Sequence, residues 1–70
     1  SGRAVDVLLE RLNDRNEETA IRKKAADALV LIRTFHAIEG LRDRLRDLGE
    51  DRVIQKYIAD GMGKARLLYG

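Results

Sequence analysis

The 70-residue sequence contains no cysteine, proline or tryptophan, and it has three aromatic residues and one histidine. Without cysteine it cannot be a disulfide scaffold, and one histidine leaves no zinc-ligand spacing, so we expect no metal and no cofactor. No run of about 18 apolar residues that could span a membrane is present. The net charge of +2 describes a small basic excess, not a polybasic surface. We therefore expect one soluble domain over residues 1–70, without a targeting segment and located in the cytoplasm.

Hydrophobic spacing predicts four helices and no strand. Because proline is absent, glycine has to mark the breaks, and Gly49 is the clearest loop signal. Apolar residues recur at helical spacing in four stripes, and no stretch alternates with a period of two. The stripes are Val5, Leu8, Leu9 and Leu12; Ile21, Ala25, Ala28, Leu29 and Ile32; Ile38, Leu41, Leu45 and Leu48; and Ile54, Tyr57, Ile58, Gly61, Met62, Ala65 and Leu68.

The two halves of the chain align with each other at an offset of 33 residues, which lays residues 4–32 over residues 37–65 with ten identities in 29 pairs. The turns also match, with Asp14 over Asp47 and Asn16 over Gly49. Asn and Gly both tolerate the left-handed conformation that ends many helices, so we predict one turn geometry at both positions, with that conformation. Each repeat unit is then one helix, a tight turn and a longer second helix.

These units resemble HEAT repeats, which carry apolar pairs on the first helix, an Asp at the turn, and an apolar-Arg pair with small residues on the second helix. The matching residues are Leu8, Leu9, Leu12, Asp14, Ile21, Arg22, Ala25, Ala26, Ala28, Leu29 and Ile32 in the first unit, and Leu41, Leu45, Asp47, Ile54, Ala59 and Met62 in the second. The resemblance implies two stacked αα-hairpins that form a fragment of a right-handed α-solenoid. It also implies a turn-to-helix ion pair, Asp14 with Arg22, whereas Gln55 replaces this arginine in the second unit.

HEAT-like arrays mostly bind proteins, so the resemblance implies a non-catalytic protein-protein interaction or scaffold module, either excised from a longer solenoid or engineered. The residues themselves offer no catalytic group. His36 has no nucleophile near it in the sequence, and Ser1-Gly2 resembles the remnant of an expression tag. The carboxylate pairs are interleaved with arginines, which is typical of a solvated, ion-paired face. We therefore predict neither an enzyme nor a small-molecule substrate.

Two units are fewer than the roughly three that a helical array usually needs, so apolar surface is left over for a partner. The candidate interface residues are Val30, Leu31, Phe35, Leu67, Leu68 and Tyr69. We predict self-association as a homodimer or larger assembly. If Thr34 caps a helix, the junction between the units bends. Otherwise the second and third helices fuse, and the chains exchange helices in a domain-swapped dimer; we favour the bend.

Nucleic-acid binding is the alternative function. Its candidate phosphate contacts are Arg22, Lys23, Arg42 and Arg46. Neighbouring residues on a helix diverge by about 100°, so residues 22–24 do not share a face. Arg42 and Arg46 do align, but acidic residues lie beside them, and no aromatic residue is interleaved for base stacking. The sequence therefore favours a protein partner.

Overall fold

The computed structural model describes residues 2–68. It contains four helices, α1 (Gly2–Asn13), α2 (Thr19–Ile32), α3 (Phe35–Arg46) and α4 (Arg52–Lys64). No strand occurs in the described range. The predicted all-α fold of four helices is confirmed.

Two five-residue turns, 14–18 and 47–51, join α1 to α2 and α3 to α4. In the first turn, the backbone N–H of Asn16 donates to Asp14 Oδ1 at 2.9 Å, and the N–H of Glu17 donates to the Asp14 carbonyl at 3.1 Å. In the second turn, Gly49 and Glu50 donate to the same two atoms of Asp47 at 2.9 and 3.1 Å. The Asp side chain thus imitates a backbone turn at both positions, 33 residues apart.

The predicted left-handed conformation at Asn16 and Gly49 is wrong. Among the described residues, the backbone angle φ is positive only at Arg33 (59°) and Arg66 (60°). The aspartate side chains already turn the chain after α1 and α3, so no left-handed residue is needed there. Arg33 instead ends α2, where its N–H donates to the Leu29 carbonyl at 3.2 Å.

The junction between α2 and α3 is bent, as predicted. Arg33 is left-handed, and Thr34 has an extended backbone with its Oγ1 accepting from the Ala37 N–H at 3.2 Å. This hydroxyl satisfies one of the free N–H groups at the start of α3. Helices α2 and α3 therefore remain separate helices.

The first hairpin (α1 and α2) packs against the second hairpin (α3 and α4). Helix α1 lies against α3 and helix α2 lies against α4 and α3, whereas in the described range no Cα atom of α1 comes within 8 Å of one in α4. A Cβ on Gly40 would overlap the Leu9 side chain, so glycine allows α3 to approach α1 closely. The buried apolar core is shared by both hairpins and comprises Val5, Leu12, Ala25, Ala26, Leu29, Ala37, Leu41, Ile54, Ile58 and Met62.

Candidate protein interface

A buried ion pair connects the two hairpins. Arg22, on α2, is 3% exposed, and its Nη2 donates to Glu50 Oε2 at 2.6 Å. The Nε of the same arginine donates to the Leu12 carbonyl at 2.8 Å. Because this carbonyl lies in the last turn of α1, one side chain ties the end of α1, helix α2 and the second turn together.

Two further arginines extend this pair into an ionic cluster. Arg44 Nη1 donates to Glu50 Oε2 at 3.1 Å and to Asp47 Oδ2 at 3.3 Å. Arg15, in the first turn, donates to Asp47 Oδ2 and to the Gly49 carbonyl, the latter at 2.8 Å. The second turn therefore receives arginines from its own hairpin and from the first hairpin.

The cluster keeps both of its carboxylates ionised. Burial alone would raise the pKa of Glu50, but hydrogen bonds from Arg22, from the Asp51 N–H and from Arg44 outweigh burial and lower this pKa to about 2. The pKa of Asp47 is also lowered, chiefly by the Gly49 N–H bond, which outweighs the opposing effect of burial; the charges of Arg15 and Arg44 add to the lowering.

The predicted Asp14–Arg22 ion pair is not formed. Asp14 accepts from Asn16 inside its own turn, and Arg22 extends across the hairpin boundary to Glu50. Glu50 was not among the predicted site residues, although it aligns with an identical residue, Glu17, at the same position of the first turn. Gln55, which replaces the arginine in the second hairpin, donates to the Arg44 and Asp47 carbonyls at 3.0 and 2.8 Å.

The predicted interface residues differ in exposure. Leu31 is 81% and Phe35 is 80% exposed. Val30 and Leu67 are half-buried and pack against the core. Leu68 is exposed, and Tyr69 lies outside the described residues.

A second group of apolar residues lies on the outer side of the first hairpin. In the second hairpin, Ala37, Leu41 and Ile54 are at most 1% exposed because the first hairpin packs on them. At the aligned positions of the first hairpin, Ala4 and Ile21 are exposed and Leu8 is half-buried. This surface, termed the open face, consists of Ala4, Val7, Leu8, Ile21, Ala28 and Ile32.

The opposite end of the molecule is closed. Arg42 stands where the alignment has Leu9 in the first hairpin, and its Nη2 donates to the Leu67 carbonyl at 3.2 Å. Leu67 in turn packs against the core. The segment after α4 therefore covers the part of the second hairpin's outer side around Arg42, and this outer side is termed the closed end.

The four candidate phosphate contacts all have partners within the chain. Arg22 is buried against Glu50, and the Lys23 ammonium lies 5.1 Å from the centre of the Tyr57 ring. The remaining two arginines, Arg42 and Arg46, pair with Glu39 at 3.0 Å and with Asp43 at 3.4 Å, respectively. Of the four, the buried Arg22 is the least able to reach a phosphate group.

No family model, curated protein or solved structure matches the chain. Within residues 2–68, no three His, Asp or Glu side chains are grouped as metal ligands. None of the described helices has both the length and the apolar character needed to cross a membrane. His36 Nδ1 lies 3.8 Å from Asp6 Oδ1, with both side chains exposed.

Proposed function

We propose that the chain is a non-catalytic protein-interaction module made of two HEAT-like hairpins, stacked as a fragment of a right-handed α-solenoid. Two observations support the repeat. The two turns have the same hydrogen bonds at a 33-residue spacing. The first helices of the two hairpins lie side by side, as do the second helices, while α1 and α4 stay apart. This arrangement is expected where each hairpin contacts only its neighbours.

The open face carries the functional proposal. Val7 is 51% exposed, and Ile21 and Ile32 are each 38% exposed, although all three are apolar. A contiguous apolar surface on a small domain typically marks a protein-binding site, because leaving it in water costs free energy that a partner recovers. The proposed partner is another copy of the chain, in a homodimer or larger assembly, and an exchange of helices between chains is the alternative form.

Mass measured by light scattering along a dilution series from about 1 to about 100 µM tests this proposal. Self-association predicts a mass that rises from the 7.9 kDa of one chain toward at least twice that value. Helix exchange differs because dissociation then requires the hairpins to separate, so the mass changes only over hours after dilution. A constant mass of one chain at every concentration would contradict self-association.

Nucleic-acid binding is tested in parallel, by retention on immobilised duplex DNA. Phosphate contacts that release counterions persist at about 150 mM salt, whereas a net charge of +2 does not retain a protein there. We expect elution below that salt concentration. Retention above it, lost in an Arg46→Gln variant, would favour the nucleic-acid function instead.

A further inference from the structure

The open face is continuous across both helices of the first hairpin. On α2, Ile21, Ala28 and Ile32 are seven and four residues apart, which places them in one stripe. Ala4 and Ile32 line a common cavity of about 400 Å³, together with Gly2, Val5, Thr34 and His36, so the two helices adjoin at the end of the face nearest the bend between α2 and α3. Ala4 also lines a second, shallower depression together with Val7 and Leu8.

A second copy could meet the open face with either of its ends, and the closed end is the poorer match. Inside the chain, the first hairpin contacts the second with Leu9 packed on Gly40 and with Arg15 and Arg22 bonded to the second turn. The aligned residues at the closed end are Arg42, Leu48 and Gln55. A head-to-tail contact would therefore place a charged side chain where Leu9 packs and would lose both arginine links, and it would have to displace Leu67.

The charges beside the open face are self-complementary. Arg3 and Glu10 lie on one edge of α1, because they are seven residues apart, and Asp14 follows in the first turn. This edge is positive near the start of the helix and negative near its end. If two copies of α1 lie antiparallel, the Arg3 of each copy lies beside the Glu10 and Asp14 of the other.

We infer that the open face binds the open face of a second copy, with the two α1 helices antiparallel about a two-fold axis. This inference rests on the proposed self-association and names its surface. Because the same patch is used by both copies, the assembly closes as a dimer and does not grow into a filament. Leu31 and Phe35 lie outside the open face and remain exposed in this dimer.

Two matched valine substitutions test the surface. Val7, in the open face, is 51% exposed, and Val53, on α4, is 52% exposed. In sedimentation equilibrium of the full chain, Val7→Glu should raise the Kd of dimerisation by at least about tenfold, because it buries a carboxylate in the interface. Val53→Glu should leave the Kd unchanged. Circular dichroism at low concentration checks the fold of both variants, and Val7→Ser replaces Val7→Glu if the latter loses helix.

Failure of the open face as the interface and failure of self-association give different results in these measurements. A wild-type dimer whose Kd is the same in Val7→Glu and Val7→Ser overturns the open face as the interface, but leaves self-association standing. A wild-type chain that stays monomeric overturns both. Species larger than a dimer at high concentration overturn the two-fold arrangement, since a closed assembly has no free interface.

A charge exchange tests the antiparallel orientation. Arg3→Glu should raise the Kd about three- to tenfold, because each copy then places a negative charge beside Glu10 and Asp14 of the other. Adding Glu10→Arg restores one pair of opposite charges and should bring the Kd back toward that of the wild-type chain. A double variant that binds as weakly as Arg3→Glu alone overturns the antiparallel arrangement.

Discussion

The two turns of the molecule have the same backbone hydrogen bonds but different surroundings. Glu17 and Glu50 each accept from an arginine of their own hairpin, Arg11 at 3.0 Å and Arg44 at 3.1 Å. The Glu17 side chain is 16% exposed, whereas that of Glu50 is fully buried because Arg22 crosses over to it from the first hairpin. Each hairpin thus determines its own turn, and its neighbour determines how deeply that turn is buried.

Removing Glu50 should have the largest effect on stability, because Glu50 is the buried one of the two aligned glutamates. Glu50→Ala leaves Arg22 buried without its carboxylate, and breaking a buried ion pair in this way costs about 3–5 kcal/mol. Glu17→Ala, at the aligned and only partly buried position, should cost less, on the order of 1 kcal/mol, because its partner Arg11 remains 62% exposed. Urea unfolding followed by circular dichroism measures both. Equal losses in the two variants would contradict the difference between the turns.

The pH dependence of stability should follow from the same carboxylate. The pKa of Glu50 is about 2 in the folded chain and returns to an ordinary value near 4.3 on unfolding. A lowered pKa stabilises the fold above the unfolded value, and this contribution, on the order of 3 kcal/mol, is lost as pH falls from about 5 to 2. Melting temperatures across this range should fall steeply in the wild-type chain and less steeply in Glu50→Gln. Parallel curves would remove Glu50 as the cause.

The sequence was sufficient to predict what each hairpin makes by itself. The helical stripes and the bend at Thr34 depend on residues close together in the chain, and the structure agrees with both. The partner of Arg22 could not be read in the same way, because it depends on how two hairpins dock, and the resemblance to HEAT repeats indicated Asp14 instead of Glu50. The left-handed conformation expected at Asn16 and Gly49 is absent because the side chains of Asp14 and Asp47 accept hydrogen bonds from these residues and turn the chain themselves.

Gly40→Val should destabilise the chain less than Glu50→Ala. Gly40 aligns with Val7, so this change gives the second hairpin the residue of the first. The added side chain would overlap Leu9 across the hairpin boundary, and such overpacking costs about 1–3 kcal/mol. Gly63→Ala is the control, because an added Cβ there lies at an ordinary 3.6 Å from Leu68 Cδ1 and improves helix propensity by up to about 1 kcal/mol.

The double variant Gly40→Val with Leu9→Ala checks the cause of that loss. If the overlap is responsible, the two substitutions together destabilise the chain by less than the sum of the single changes, as a double-mutant cycle in urea would show. Additive losses would mean that α3 does not approach α1 as closely as the glycine suggests.

The smallest effect on stability is expected at the helix caps. Thr34 caps α3 at the junction between the hairpins, and Asp51 caps α4 in the turn inside the second hairpin. Thr34→Ala removes the hydroxyl that accepts from Ala37, and Asp51→Ala removes the carboxylate that accepts from Val53 at 2.7 Å. Each loss should cost about 1 kcal/mol in urea unfolding. Only the Thr34 variant should also increase helix exchange, because α2 and α3 have no other side-chain cap between them that stops a continuous helix. If the dimer dissociates over hours in Thr34→Ala but quickly in Asp51→Ala, Thr34 is the residue that keeps each chain folded on itself. Equal dissociation rates in the two variants would assign that role to the left-handed Arg33.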